Sequence, residues 1–411
     1  MIKPELLAPV GDMERLESAL NYGADAVYLA GKSFGMRAAP SNFTDEELLK
    51  AVKLCHEKGV RVHVTCNTIP HNDELDELPQ FLTYCAEIGV DAFIIADIGV
   101  MQLARKYAPT VDIHISTQAG VINYETANAF YQMGAKRVVL ARELSFPEIK
   151  EIREKTPADL EIEAFVHGAM CVSFSGRCLL SSYLTGRDAN RGDCAQPCRW
   201  EYTLSEGKRE GQYFDIQEDK GKTFIMNSRD MCMIDYLNEI LDCGITSLKI
   251  EGRAKSAYYV ACMTNAYRRA IDFTYDNPGK QLPGWIRNEV EKISHREYST
   301  GFYLGSEPGQ RTDTGSYIRS YEVVAVCIGY DEQNKLAALS QRNRFFRGQK
   351  ADVLEPGSDV YEINLDEMYD EEMNPIEVAP HPTRTVYVRT DHHVKQGAYL
   401  RVCKSEQPEI D

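Results

Sequence analysis

The sequence predicts an α/β protein: a (β/α)8, TIM-like barrel with a cysteine-bearing insertion after strand seven, then a small C-terminal antiparallel β-barrel domain. Three observations carry this. Short apolar runs and amphipathic stretches alternate eight times over about 255 residues. One interval, between the seventh and eighth runs, is far too long and holds a cluster of five cysteines. Past about residue 316 the pattern changes to short β-type runs.

The apolar runs are Glu5–Val10, Ala26–Ala30, Arg61–Cys66, Ala92–Ala96, Asp112–Ser116, Arg137–Ala141, Glu161–Val166 and Ser247–Ile250. Each is short and rich in Val, Ile, Leu or Ala, as parallel strands covered by helices are. Thr44-Asp-Glu-Glu47 forms a capping box before Leu48, Leu49, Val52 and Leu54, and Gly59 closes that helix. Ser145-Phe-Pro-Glu148 repeats the device before Ile149 and Ile152. Gly23, Gly89 and Gly134 each stop a helix three residues before the next strand. A doubly wound open sheet is the alternative, but no phosphate-binding glycine fingerprint follows the first strand.

The barrel domain is expected over residues 1–280, with the insertion at about 168–245. A long helix from Ala254 to about Thr274 completes it, and Pro278, Gly279, Pro283 and Gly284 open a connection over 281–315. The second domain, 316–405, has runs at Glu322–Ile328, Ala337–Leu339, Asp352–Leu354, Val360–Ile363, Thr385–Val388 and Tyr399–Val402. A polar tail, 406–411, follows.

With 411 residues, 43% of them hydrophobic, the chain can bury a large core. It opens without a charged and then apolar leader, and no run approaches the ~20 apolar residues that span a bilayer. A cytoplasmic, reducing location is expected, where cysteines are thiols or ligands rather than disulfides. The net charge of −16 opposes non-specific adhesion to nucleic acid, so any RNA contact must be focused.

The clustered cysteines are Cys171, Cys178, Cys194, Cys198 and Cys232. Intervals of six, fifteen and three residues separate the first four, and thirty-three precede Cys232. Structural zinc sites favour pairs of Cys-x₂₋₄-Cys, which only Cys194 and Cys198 supply. Iron–sulfur clusters accept irregular spacing, since their irons face different directions. Gly176-Arg177 and Arg191-Gly192 set turns and positive charge beside the thiols. Thiols packed as small hydrophobes are the alternative, against which stand the flanking Gly, Arg, Asp and Gln.

A barrel gathers its chemistry at the carboxyl ends of its strands. The polar residues there are Asn67, Asp97, Gln118, Arg142, Glu143, His167, Glu251 and Arg253. His167 is a candidate proton carrier, or else a histidine satisfied by backbone. Arg142 and Arg253 suit a small carboxylate, or else an internal ion pair. Further on, Arg342-Asn-Arg344-Phe-Phe-Arg347-Gly-Gln-Lys350 is a candidate nucleic-acid contact or a solvated hairpin.

Glu163-Ala-Phe-Val-His-Gly-Ala-Met-Cys171-x₆-Cys178-Leu-Leu-Ser181 closely resembles the signature of the U32 "peptidase" family. The resemblance continues through Gly192-Asp-Cys194-Ala-Gln-Pro-Cys198-Arg-Trp-Glu-Tyr202, Met226-Asn-Ser-Arg-Asp230 and Lys249-Ile-Glu-Gly-Arg253. Glu5-Leu-Leu-Ala-Pro-Val-Gly11 and Gly23-Ala-Asp-Ala-Val-Tyr28 carry it through the whole barrel. Phe346-Arg-Gly-Gln-Lys-Ala-Asp-Val-Leu-Glu355 is similar to the translation-factor-type barrel many members carry. The subgroup most alike is the bacterial tRNA uridine hydroxylases.

That resemblance implies 5-hydroxylation of the wobble uridine of tRNA, with prephenate rather than dioxygen as hydroxyl source. Relatives hydroxylate a cytidine of ribosomal RNA or a quinone ring. It also implies a [4Fe–4S] cluster on Cys171, Cys178, Cys194 and Cys198, with Cys232 as a substitute for Cys198; zinc is the second choice. Asn67, Gln118, Arg142, Arg177, Arg199 and Arg253 are then expected to bind substrate, and His167 or Glu251 to carry protons. Expected partners are the tRNA anticodon loop, a small dicarboxylate, and a paralogous or identical subunit. The rivals are a collagenase-like hydrolase and a non-catalytic RNA-binding metalloprotein. Neither a nucleophile–base constellation nor a zinc HExxH motif stands in the sequence.

Overall fold

The computed structural model describes residues 3–32, 34–35, 42–200, 228–305 and 317–406. The middle of the expected insertion (201–227), the end of the connection (306–316) and the tail (407–411) lie outside the described residues.

The eight predicted strands form one closed parallel barrel. They are β1 (Glu5–Pro9), β2 (Ala26–Leu29), β3 (Arg61–Cys66), β4 (Ala92–Ile95), β5 (Asp112–Ile115), β6 (Arg137–Val139) and β7 (Glu161–Ala169), then, after the short β8 (Asp230–Cys232), β9 (Ser247–Ile250). Successive strands pair in order, and Ser247 closes the ring by standing opposite both Glu5 and Glu163. β8 runs antiparallel to the end of β7, with Cys232 opposite His167, and β10 (Tyr298–Ser299) runs parallel to β8.

Six helices cover the barrel between its first seven strands: α1 (Met13–Asn21), α2 (Asp45–Glu57), α3 (Leu78–Glu87), α4 (Ile98–Tyr107), α5 (Tyr124–Gln132) and α6 (Phe146–Glu154). Both capping boxes form, at Thr44 and Ser145. Asp97, one of the strand-end candidates, is an N-cap: its carboxylate accepts from the Val100 N–H at 3.0 Å. α7 (Leu180–Thr185) belongs to the insertion, and α8 (Leu237–Asp242) precedes β9. The long helix α9 (Ala257–Asp276) starts three residues later than predicted because Ser256 caps it through the Tyr259 N–H. Ala254 and Lys255 are thereby left at the barrel mouth. No helix among the described residues is long and apolar enough to cross a membrane.

The barrel's outward side chains, such as Leu6, Val27, Val62, Phe93 and Ile162, pack beneath the helices. Its interior differs from the usual Val, Ile and Leu filling. Near the amino ends of the strands, Arg137 bonds Glu5 at 2.6 Å and Glu163 at 2.8 Å and donates to Ser247 at 3.1 Å. His63 and His114 cross edge to face beside them, centroids 4.7 Å apart. Such a buried group persists only where each charge finds a partner, and Arg137 has three carboxylates, Glu161 being the third at 2.5 Å.

A short helix α10 (Gly284–Glu289) leads to the C-terminal region. There β11 (Tyr321–Asp331), β12 (Leu336–Gln341), β13 (Phe345–Phe346), β14 (Lys350–Leu354), β15 (Tyr361–Asn364), β16 (Met368–Tyr369), β17 (Val378–Ala379), β18 (Thr385–Arg389) and β19 (Tyr399–Cys403) make an antiparallel domain. Seven of them form one sheet, ordered β15-β14-β19-β11-β12-β18-β16, around its own core; β13 and β17 pair separately. The run from Arg342 to Lys350 folds as part of this body. Phe345 is buried, while Arg342, Arg347 and Lys350 face Glu14, Glu377 and Glu362. The domain is bolted to the barrel: buried Arg401 holds Glu289 with two 2.7 Å bonds, and the Tyr22 hydroxyl donates to the Leu354 carbonyl at 2.8 Å.

A cysteine-lined cavity at the barrel mouth

A cavity of about 410 Å³ opens at the carboxyl ends of the strands. Its floor is Lys249, between the rings of Tyr28 (4.4 Å) and Phe165 (5.3 Å), with Nζ donating to Glu163 at 2.9 Å. Burial draws this ammonium below its ordinary range, while Glu163 opposes the change. Arg142 rests on the Phe165 ring at 3.9 Å and donates to the Ala169 carbonyl at 2.8 Å; no carboxylate pairs with it among the described residues. Arg253 spans to β3, donating to Thr65 at 3.0 Å and Asn42 at 2.9 Å. Buried Glu251 also lines the wall. Opposite, Asn67 donates to the Gln118 carbonyl oxygen at 2.7 Å. The Nε2 of buried Gln118 has no hydrogen-bond partner among the described residues.

The roof is the cysteine loop that leaves β7. Glu143, just past β6, accepts from the Ser175 N–H at 2.7 Å and its hydroxyl at 3.0 Å, holding Ser175 at a φ of +47°. Cys178 and Asn190 bond reciprocally, N–H to Oδ1 at 3.3 Å and Nδ2 to carbonyl at 3.2 Å. The buried Ser181 hydroxyl accepts from the Ala195 N–H at 3.0 Å. This lacing brings Cys171, Cys178, Cys194 and Cys198 to one cavity. Three of their sulfurs accept a backbone N–H two residues on: Ser173 to Cys171 at 3.4 Å, Leu180 to Cys178 at 3.3 Å and Gln196 to Cys194 at 3.3 Å. Backbone amides aimed at sulfur are the hydrogen bonds that metal-bound cysteines commonly receive. The donor set therefore fits a thiolate-ligated group. No set of three or more described His, Cys, Asp or Glu residues converges as a single-ion site.

Cys232 stands elsewhere. It pairs on the far side of β7, its sulfur 4.0 Å from the Tyr267 hydroxyl, and burial pushes its thiol up to about 12. His167 does not reach the cavity either. Between Phe165 and His167 the β7–β9 register slips, so Phe165 pairs with inward Lys249 but His167 with outward Ile250. The ring lies buried among Tyr259, Tyr267 and Tyr298, where burial draws its pKa down to about 3. Arg177 is exposed and does not line the cavity, whereas Arg199 does, donating to Gln196 at 2.8 Å. Asn67, Gln118, Arg142, Glu251 and Arg253 all line it.

Three participants were not singled out in the sequence. Lys249 sits in an apolar strand, at the inward parity between Leu248 and Ile250, and that alternation was the available signal. Lys255 and Tyr317, which also line the rim, carry no local signature.

The model for peptidase family U32 matches residues 11–313, and that for its C-terminal domain matches 319–401. The chain is 36% identical over 403 residues to tRNA hydroxylation protein P1 of Bacillus subtilis, covering 97% of this chain and 94% of that protein. It is 35% identical over 320 residues to the 23S rRNA 5-hydroxycytidine C2501 synthase of Escherichia coli, covering 76% and 46%. It is 34% identical over 322 residues to a collagenase of Porphyromonas gingivalis, covering 75% of each. With one family model along the barrel and its companion along the antiparallel sheet, the chain belongs to peptidase family U32.

Proposed function

We propose that this protein is a cytoplasmic tRNA hydroxylase that replaces the C5 hydrogen of a wobble uridine with hydroxyl, taken from a small dicarboxylate of the prephenate type. The observation that carries the reading is the meeting of four thiols, five cations and an amide pair on one cavity. The likeness over nearly the whole chain to a protein named for tRNA hydroxylation supports it.

Cys171, Cys178, Cys194 and Cys198 would hold a [4Fe–4S] cluster, which supplies one-electron chemistry when bound. A single zinc draws its sulfurs to about 2.3 Å, whereas a cube offers its irons at separate corners. Four thiols line one cavity, and their irregular spacing along the chain favours the cube. Arg142, Lys249 and Arg253 suit the two carboxylates of the small substrate. The buried Gln118 Nε2 offers a donor to a pyrimidine carbonyl, and Glu251 is the cavity carboxylate placed to move a proton. A single-stranded anticodon loop presents its base at little unstacking cost.

A hydrolase is the rival. Among the described residues no histidine lines the cavity, so no serine or cysteine there has an imidazole base. Nucleoside mass spectrometry of tRNA from cells carrying the wild-type or the Cys178→Ala gene, with iron content of both proteins, tests the proposal. Iron-bearing wild type whose 5-hydroxyuridine derivatives vanish with the substitution is expected. Unchanged nucleosides, or a colourless zinc protein that cleaves gelatin, would overturn it.

A further inference from the structure

The mouth of the cavity continues beyond the cysteine loop. Ala254, Lys255 and Tyr317 line it, and they also line a second hollow of about 410 Å³ between the start of α9, residues Lys292–Ser294 and the first turns of the C-terminal sheet. Four cations wall this hollow, Lys255, Lys292, Arg319 and Lys404, against one carboxylate, Glu322. Lys292 is committed to Glu289 at 3.0 Å and Asp352 at 2.6 Å. The other three make no ion pair among the described residues. Lys255 instead lies 4.9 Å from the Tyr317 ring and 5.4 Å from that of Tyr259. Arg319 and Lys404 are exposed. They adjoin on neighbouring strand ends, since the Lys404 N–H donates to the Ser320 carbonyl at 2.9 Å and Tyr321 pairs with Cys403.

On a chain of net charge −16, cations without ion pairs that continue from the cavity mouth suit an anionic occupant. The walls belong to two domains already fixed to each other through Arg401 and Glu289, so the cleft exists before anything binds. Cations along a groove with half-buried tyrosines are what a single nucleic-acid strand requires. Resting on the tRNA reading above, we infer that this interdomain cleft holds the nucleotides flanking the reacting base. Their phosphates lie on Lys255, Arg319 and Lys404, with Tyr317 at the junction of cleft and cavity.

The test is anisotropy titration of an unmodified tRNA transcript with full-length wild type and R319E/K404E over a salt series, alongside the conservative R319K/K404R. Affinity is expected to fall about tenfold or more in R319E/K404E, with a slope of log K on log salt shallower by about two. R319K/K404R retains both, and the thermal shift produced by prephenate is unchanged in every protein. Equal affinity and slope in wild type and R319E/K404E overturn the cleft while leaving the hydroxylase reading to the nucleoside assay. Loss of an acidic peptide's binding with tRNA binding intact also overturns it, reassigning the cleft to a protein partner. A wild type that binds no tRNA and leaves cellular nucleosides unchanged removes both.

Discussion

Gly168 illustrates how tightly β7 is threaded past the cavity wall. Its φ is +113°, and a Cβ there would stand 2.5 Å from the Glu251 carbonyl oxygen and 2.8 Å from the Glu251 Cβ. Gly168→Ala is expected to cost roughly 2–3 kcal/mol and to displace Glu251. Urea unfolding together with hydroxylated-nucleoside yield checks this, and a wild-type midpoint would refute the close approach. The neighbouring His167 leads to the opposite sort of expectation. Because the bulge turns it away from the cavity, His167→Phe should alter stability by about 1–3 kcal/mol yet leave the pH dependence of activity unshifted. Loss of one limb of that profile would restore His167 as a proton carrier. Placement at the mouth was readable where strand ends could be counted, as for Asn67, Gln118, Arg142, Glu251 and Arg253. It was not readable where one extra residue reverses the side a strand presents, since nothing in Phe165-Val166-His167 records the slip.

Among elements, helix starts and stops were the most legible. Thr44 and Ser145 cap as the sequence implied, and Gly23, Gly89 and Gly134 all adopt positive φ at helix ends. The cysteine loop was legible only as a cluster of thiols. Its lacing by Glu143, Asn190 and Ser181 joins residues from distant stretches, and no local pattern encodes such contacts. The loop also separates two cysteines the sequence left as competitors for one role. Cys198→Ser is expected to lower bound iron severely, while Cys232→Ser, buried behind β7, should leave it near wild type. Iron and acid-labile sulfide assays on the two proteins decide this; equal loss in both would bring Cys232 back as a ligand.

For the whole molecule, the eightfold rhythm was enough to anticipate the closed barrel, because strand, helix and glycine stop recur at local spacing. The interior charges were hidden by the same rhythm, being single polar residues inside otherwise apolar runs. They carry a consequence for acid stability. Burial draws His63 down to about 4 from 6.5, and neither of its ring nitrogens has a hydrogen-bond partner among the described residues; His114 is pulled the same way. A base whose folded pKa is depressed stabilises the fold fully above 6.5 and loses that contribution as pH falls toward 4, for His63 on the order of 3 kcal/mol. Glu5, lowered to about 2 by Arg137 against the opposing effect of its burial, adds a further loss between 4.5 and 2. Denaturant midpoints are therefore expected to decline from about pH 6.5 downward, and less steeply in His63→Leu. A midpoint flat from pH 7 to 4 would contradict the neutral buried pair.

The ionic plug of Arg137, Glu5 and Glu163 has one more implication, for the order of events. It fills the barrel beneath Lys249, so among the described residues the cavity is blind at its base and its neck lies at the carboxyl ends of the strands. A nucleotide seated in that neck corks whatever lies below. In the proposed reaction the small co-substrate must therefore enter first, and its spent remnant must leave last. Turnover would follow a compulsory sequence, paced by the uncorking of the tRNA.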